Sequence, residues 1–260
     1  MNRRTWMVRG LSVLGAAHLL TPRAWAADPL RMAYFDNFSP FSWLDEQGGM
    51  QGIFIDALNE VVSRRMQIAV THGGYPWARA QQMVEKGGAD AFCTVPTPAR
   101  RLYTEVSAEP VITATFTLFT LRGGAQLERL KSVKTLEDLR PFTIGHYIGS
   151  GWAKQKLEGM QMEWAPNVDA VLKKLVMGRG DVHIDVAEVL RPRIKALGLS
   201  DSLLELPQVL DTQPFNLCIR KDSPHVQWLP KFDNVMRQFR EDGSLEAIYR
   251  KYGALPAGVK

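Results

Sequence analysis

Gly87-Gly88-Ala89-Asp90-Ala91-Phe92-Cys93 and Gly178-Arg179-Gly180-Asp181-Val182-His183-Ile184 follow the same plan. Each opens on glycines suited to ending a helix in the left-handed conformation, then passes through an aspartate into an apolar run. Residues Val168, Val171, Leu172, Leu175 and Val176 fall on one face of the helix that precedes the second copy. Phe54, Ala57, Leu58, Val61 and Val62 repeat that spacing in the first half. A helix–strand unit that recurs in each half predicts two similar α/β lobes.

The neighbouring segments fit this frame. Strand-like runs occupy 30–35, 67–72, 90–95, 142–147, 181–186 and 215–220, and helices with a clear apolar stripe lie between them. Such alternation implies mostly parallel sheets covered by helices on both faces. Between the halves, Thr-Ala-Thr-Phe-Thr-Leu-Phe-Thr-Leu at 113–121 is rich in β-branched and aromatic residues and reads as an extended crossover strand. Near the end, Phe232, Val235, Met236 and Phe239 make one stripe, and Leu245, Ile248, Tyr249 and Tyr252 make another. The expected division is residues 27–112 with 213–260 in one lobe, and 113–212, crossover strands included, in the other.

Composition agrees with a folded chain: 260 residues, 45% hydrophobic and 23% charged. The formal charge of +5 suggests a polyanion partner, but its placement removes the suggestion. Four arginines (Arg3, Arg4, Arg9 and Arg23) lie in the first 26 residues, which hold no acid. Of 32 basic residues, 28 then remain against 27 acidic ones, so nucleic acid is not expected as a partner. That leader runs in secretory order: Arg3-Arg4, an apolar run at 11–20, then Ala24-Trp25-Ala26 as a small-x-small cleavage site. The apolar run is too short to span a bilayer as a helix. A soluble periplasmic protein cleaved after Ala26 is expected, by the general or the twin-arginine route.

Cys93 and Cys218 allow one disulfide or two buried thiols. His183-Ile184-Asp185 lacks partners for a metal, and neither a metal nor a cofactor is expected.

Further motifs run along the mature chain in order. They are Pro40-Phe41 with Gly52-Ile53-Phe54-Ile55-Asp56; Trp77 with Gly88-Ala89-Asp90; and Thr97-Pro98-Ala99-Arg100. Ser107 with Pro110, Leu136-Glu137-Asp138-Leu139 with Gly149-Ser150, and Gly243-Ser244-Leu245 through Tyr252-Gly253 complete the set. Their order and spacing resemble the bacterial extracellular solute-binding proteins of family 3, the periplasmic receptors of polar amino-acid ABC transporters. The resemblance implies a two-lobe, type II periplasmic-binding-protein-like fold. It also implies a monomer that closes on a small ligand and hands it to a permease complex in the inner membrane.

A carboxylate-bearing ligand needs a fixed cation, neutral donors and a flat apolar wall; an amine adds the need for a buried carboxylate. Arg100 fits the first demand, because guanidinium meets carboxylate with two parallel hydrogen bonds, and family position favours it over Arg101. It is expected at the cleft mouth, where its loss would hardly affect folding. Thr94 and Thr97 are candidate donors on the same strand exit. Gly149, Ser150, Gly151 and Trp152 open a short helix whose amides could meet an anion, or form an ordinary cap. Phe35, Phe38, Phe41, Trp43, Trp77 and Trp152 supply aromatic walls, with Phe38 and Trp77 favoured by resemblance as ligand contacts.

The sequence departs from the family at the ammonium end. Asp185 stands one position early, which on a strand would turn it to the opposite face, and Asp36 is the substitute. If neither pairs an amine, a dicarboxylate, an aromatic acid or an amino-acid derivative becomes the ligand. An exported lyase of the cyclohexadienyl dehydratase type is the alternative, with Asp36, His183 or Asp185 as acid or base. A receptor for signalling is another. No residue is assigned a catalytic role, since Gly149-Ser150-Gly151 lacks a nucleophile elbow.

Overall fold

The computed structural model describes residues 28–254, and the export leader expected over 1–26 lies outside them. In chain order the strands are β1 (Leu30–Phe35), β2 (Asn37–Phe38), β3 (Ser42–Leu44), β4 (Met50–Gln51), β5 (Val70–Tyr75) and β6 (Ala91–Thr94). Then follow β7 (Thr104–Leu121), β8 (Ile144–Tyr147), β9 (Met162–Ala165), β10 (Val182–Val186) and β11 (Leu203–Arg220). β2, β3 and β4 form a small antiparallel sheet. The others lie in the order β5-β1-β6-β11-β7-β10-β8-β9.

Each lobe is parallel in its own strands. β5, β1 and β6 run parallel in the first, and β10, β8 and β9 in the second. The expectation of two separate sheets needs correcting. β7 and β11 are each 18 residues long, run through both lobes antiparallel to one another, and join the strands of both lobes into one sheet, with shifts of register along the way. β11 meets β6 through residues 216–219, while β7 meets β10 through 116–120. Only the ends of these strands were expected from sequence, because Pro110, Pro207 and Pro214 interrupt the pattern and cannot donate to a ladder.

The twin motif has a structural meaning in each lobe. Asp90 Oδ2 accepts the backbone N–H of Arg31 at 3.0 Å, and Asp181 Oδ2 accepts that of Thr143 at 2.8 Å. In return the Asp90 and Asp181 amides donate to the carbonyls of Arg31 and Thr143, both at 2.8 Å. Each aspartate thus fastens the start of its strand to the neighbouring parallel strand. Gly87 and Gly178, at φ +81° and +71°, end the preceding helices as their position demands. Asp90 also takes the Arg31 guanidinium, with Nε and Nη2 each at 2.9 Å.

Helices cover both faces. Trp77–Glu85 buries Ala80 and Val84 against Ala33 and Phe92, and Val168–Val176 buries its expected stripe in the second lobe. Ile53–Leu58 continues as a π-helix over Asn59–Arg65, burying Val61 and Val62. No helix among the described residues is long and apolar enough to cross a membrane.

Cys93 and Cys218 lie on neighbouring strands of one lobe, but not as a bonded pair. Cys93 sits opposite Leu217, and Cys218 opposite Phe92. Directly opposed residues share a face, so the two thiols point to opposite sides of the sheet, into different core clusters. Alkylation of denatured protein without reductant should label two thiols, and labelling that appears only after reduction would restore the disulfide. Asp90→Ala and Asp181→Ala should each cost about 1–3 kcal/mol in urea melts by stranding an amide. Asp90→Ala should cost more, since it also releases Arg31.

Candidate functional site

The parallel strands of both lobes end toward one cavity of about 50 Å³. β1 ends at Phe35, β6 at Thr94, β8 at Tyr147 and β10 at Val186, which is where an open α/β sheet places its ligand. The first lobe contributes Phe35, Phe38, Trp77, Thr94 and Arg100 to the lining; the second contributes Ser150, Gly151, Trp152 and Asp185. Nine of the residues singled out from sequence are therefore brought together.

Arg100 stands on the short helix Pro98–Arg101 and is 4% exposed. Its Nη1 donates to Val95 O at 2.7 Å, while Nε and Nη2 share Gln81 Oε1 at 3.2 and 3.0 Å. The guanidinium carbon lies 5.1 Å from the Trp77 ring centroid. Burial pulls its pKa down, and among the described residues it has no carboxylate partner. Arg101 by contrast is exposed and reaches only Pro96 O. The expectation of Arg100 at the cleft mouth is thus corrected: it is enclosed and holds three oxygen contacts.

Gln81, one turn after Trp77, is a residue that sequence reasoning missed. Besides holding Arg100, its Nε2 donates to Gly149 O of the other lobe at 3.2 Å. The lobes also meet where Phe35 and Tyr147 place ring centroids 6.1 Å apart. Gly151 packs directly beneath the guanidinium, and a Cβ there would come within 3.0 Å of Arg100 Nη2. A side chain there would press the guanidinium aside by a few tenths of an ångström. Gly149 itself is held at the edge of the site, at φ +94°.

Asp185 lines the cavity and is 2% exposed. The expected turn to the opposite face does not occur. Asp185 is still paired within β10, opposite Thr117, and the face it occupies there is the one that fronts the cavity. Oδ1 accepts the Val186 amide at 2.8 Å; Oδ2 is buried without a hydrogen bond, 3.7 Å from His183 Nε2. Desolvation pushes the carboxyl up to about 7 and holds the buried His183 imidazole down at about 4, hence neutral. Asp36, the substitute, is not at the cavity. It is half-buried in the turn after β1, where its carbonyl accepts the Leu44 amide.

Other expectations separate similarly. Thr97 precedes the Arg100 helix, is buried, and does not line the cavity. Ser150 accepts the Ala153 amide at 3.2 Å, the ordinary cap weighed as its alternative. Trp152 stacks on Phe116 with centroids 4.4 Å apart and donates Nε1 to Asp211 of β11 at 2.7 Å. Phe41 is core, stacked on Phe54, and Trp43 packs edge-on against Tyr252 away from the cavity. Tyr34, Phe54, Phe116, Tyr147 and Phe215 line the site unannounced, because their positions read as core strand and helix residues.

Two α/β lobes, long antiparallel crossovers and a cavity at the strand ends define a solute-binding architecture. Residues 30–254 match the bacterial extracellular solute-binding proteins of family 3, and the chain belongs to that family. It is 24% identical to a "probable histidine-binding protein" of Neisseria gonorrhoeae, over 99% of this chain and 98% of that one. It is 29% identical to "probable amino-acid-binding protein YxeM" of Bacillus subtilis (strain 168) over 126 residues, about half the length of each. Among solved structures, a histidine kinase sensor domain with similarity to periplasmic binding proteins superposes with TM-score 0.74 at 16% identity. That likeness covers 87% of this chain and 96% of that one. An ancestral amino acid-binding protein described as a precursor of cyclohexadienyl dehydratase gives 0.67 at 23% identity, over 86% and 94%. The structural likenesses concern the fold.

Removing Arg100 should disturb folding as well as the site. Arg100→Ala leaves Gln81 Oε1 and Val95 O without their donor and should cost about 1–3 kcal/mol in urea melts. Arg101→Ala should stay within about 0.5 kcal/mol.

Proposed function

We propose that this protein is an exported periplasmic receptor that closes on a small amino acid and delivers it to an ABC permease complex. One observation carries the reading. An enclosed cation without a carboxylate partner and an enclosed carboxyl with an unpartnered oxygen line the same cavity, from opposite lobes. Arg100 takes the ligand carboxylate and Asp185 the ammonium. Burying either ligand charge unpaired would cost several kcal/mol, so the two anchors select a molecule bearing both. Residues 27–112 with 213–260 form one closing body and 113–212 the other, acting as a monomer about β7 and β11. Neither anchor group completes the site from one lobe alone, so ligand favours the closed arrangement.

A second reading has one favourable observation. A carboxyl with a pKa of about 7 is suited to proton transfer at neutral pH, so Asp185 meets a requirement of an exported dehydratase. Incubation with prephenate and arogenate separates the two. Turnover would replace the receptor reading; binding without turnover supports it.

Calorimetric titration with amino acids should give a loss of roughly 30- to 5,000-fold for Arg100→Ala, or about 2–5 kcal/mol. Arg100→Lys should also bind clearly more weakly, having kept the charge but lost the two-pronged geometry. If Arg101→Ala is damaging while Arg100→Ala binds normally, the anchor is misassigned.

The pH dependence has a definite sign. The free carboxyl of Asp185 is raised to about 7 by burial, so below that pH a proton occupies the place of the ligand ammonium. Amino-acid affinity should fall by about 100-fold from pH 8 to pH 5 if this single proton governs it. A ligand that accepted a hydrogen bond from the protonated carboxyl would show the reverse trend and exclude the ammonium assignment.

A further inference from the structure

We infer that the ligand is an amino acid with a neutral, apolar side chain, and that arginine, lysine and glutamate are excluded by the charge inventory of the cavity. The inference rests on the amino-acid receptor reading above and concerns the part of the ligand which that reading leaves open.

Arg100 and Asp185 are the only Asp, Glu, Lys or Arg side chains in the cavity lining among the described residues. A zwitterionic backbone uses both. A guanidinium has five N–H donors, and Arg100 commits three to Gln81 and Val95, leaving donors on Nη1 and Nη2 for a carboxylate. At the other anchor, Asp185 Oδ2 is the acceptor still unpartnered, and the His183 behind it is neutral. No charge remains for a third ionised group.

Beyond these anchors the wall is aromatic. Arg100 lies over Trp77, Trp77 is 6.3 Å from Phe35, and Phe35 is 5.8 Å from Phe38, centroid to centroid. From Phe38 the wall continues into Phe215 at 6.1 Å, and from Phe215 to Phe54 at 5.8 Å. The cavity therefore runs from a charged end to an end made of phenylalanine rings. Three of the polar groups along it are engaged within the protein: Ser42 Oγ donates to Phe35 O at 2.8 Å, Tyr34 Oη bonds His72 Nδ1 at 2.9 Å, and Ser150 Oγ serves its helix. Thr94 and Tyr147 add neutral hydroxyls to the lining, which supply no countercharge. A side-chain ammonium, guanidinium or carboxylate placed among those rings would lose its water and gain no partner. An aliphatic or aromatic side chain would instead exchange water for apolar contact.

The test is calorimetric titration of the full mature protein at pH 8, after unfolding and refolding to strip carried-over ligand. Leucine, valine, phenylalanine, arginine, lysine and glutamate are the probes, with N-acetyl-leucine and 2-hydroxy-4-methylpentanoate beside them. At least one neutral apolar amino acid should bind 100-fold or more tighter than arginine, lysine and glutamate, and its N-acetyl and hydroxy-acid counterparts should bind more weakly. Arginine, lysine or glutamate binding as tightly as the best neutral one overturns this inference and leaves the receptor reading intact. Equal or tighter binding of the hydroxy acid overturns the ammonium anchor, and the inference with it.

Discussion

The antiparallel pairing of β7 with β11 is the constraint on which the rest of the molecule depends. The strands of each lobe join through this pair alone: β6 meets β11, β10 meets β7, and the remaining strands of the large sheet reach the pair through β6 or β10. The pairing keeps register from 203 to 206, from 211 to 215 and from 218 to 220, and shifts between Leu206 and Asp211 and again between Phe215 and Cys218. At the first break Pro207 supplies no amide, and β11 is partly or fully exposed from 207 to 214. Two register breaks flanking a regular segment loosen the pairing on either side of the lobe junction, while each lobe keeps its own packed core. Asp211 sits in that stretch and accepts hydrogen bonds from both Trp152 and Gln213, so a cavity wall of the second lobe is tied to the strand that would flex.

From this arrangement follows the position of the site. Parallel strands in both lobes point their C-terminal ends toward the junction, and the cavity forms beyond those ends. Asp185 stands one residue before the end of β10, where it still pairs with Thr117 and reaches the cavity. A position counted against a motif slips easily by one residue, and on a strand such a slip reverses the face assigned to the side chain.

Much of the fold was legible for the same reason that the twin motif was. Gly87 and Gly178 need the left-handed region, and Asp90 and Asp181 fasten parallel strands in matching ways, so the same local chemistry appears twice. Residues 30–35 and 168–176 were marked by pattern alone and match β1 and a helix. The crossovers were legible only in part, since proline interrupts a strand pattern without ending the strand. Edge strand β9 and the small sheet of β2, β3 and β4 are too short to make a pattern. At the site, motif position marked Arg100, and glycine marked Gly151. Gln81 left no trace, because a glutamine on an amphipathic helix reads as solvated surface, and only the approach of the second lobe gives it Gly149 to hold. Tyr34, Tyr147, Phe54, Phe116 and Phe215 were invisible as site residues for a related reason: a ring lining a cavity and a ring in a core have the same sequence signature.

The site is less stable than it could be, and its chemistry explains why. A direct ion pair between Arg100 and Asp185 would compensate both buried charges, yet it would satisfy in advance the groups a zwitterion must find unpaired. The protein instead supports each charge with neutral partners. Gln81 Oε1, Val95 O and the Trp77 ring stabilise the guanidinium, and the Val186 amide takes one oxygen of the carboxyl. These contacts orient the groups without neutralising them. The carboxyl responds by rising to about 7, so that near neutrality it can remain partly protonated until an ammonium arrives. Gly151 enforces the same logic by geometry, since any side chain there would push against the guanidinium from the second lobe. Two buried ionisable groups left unneutralised across one cavity, from opposite lobes, are what the proposed recognition of a zwitterion requires.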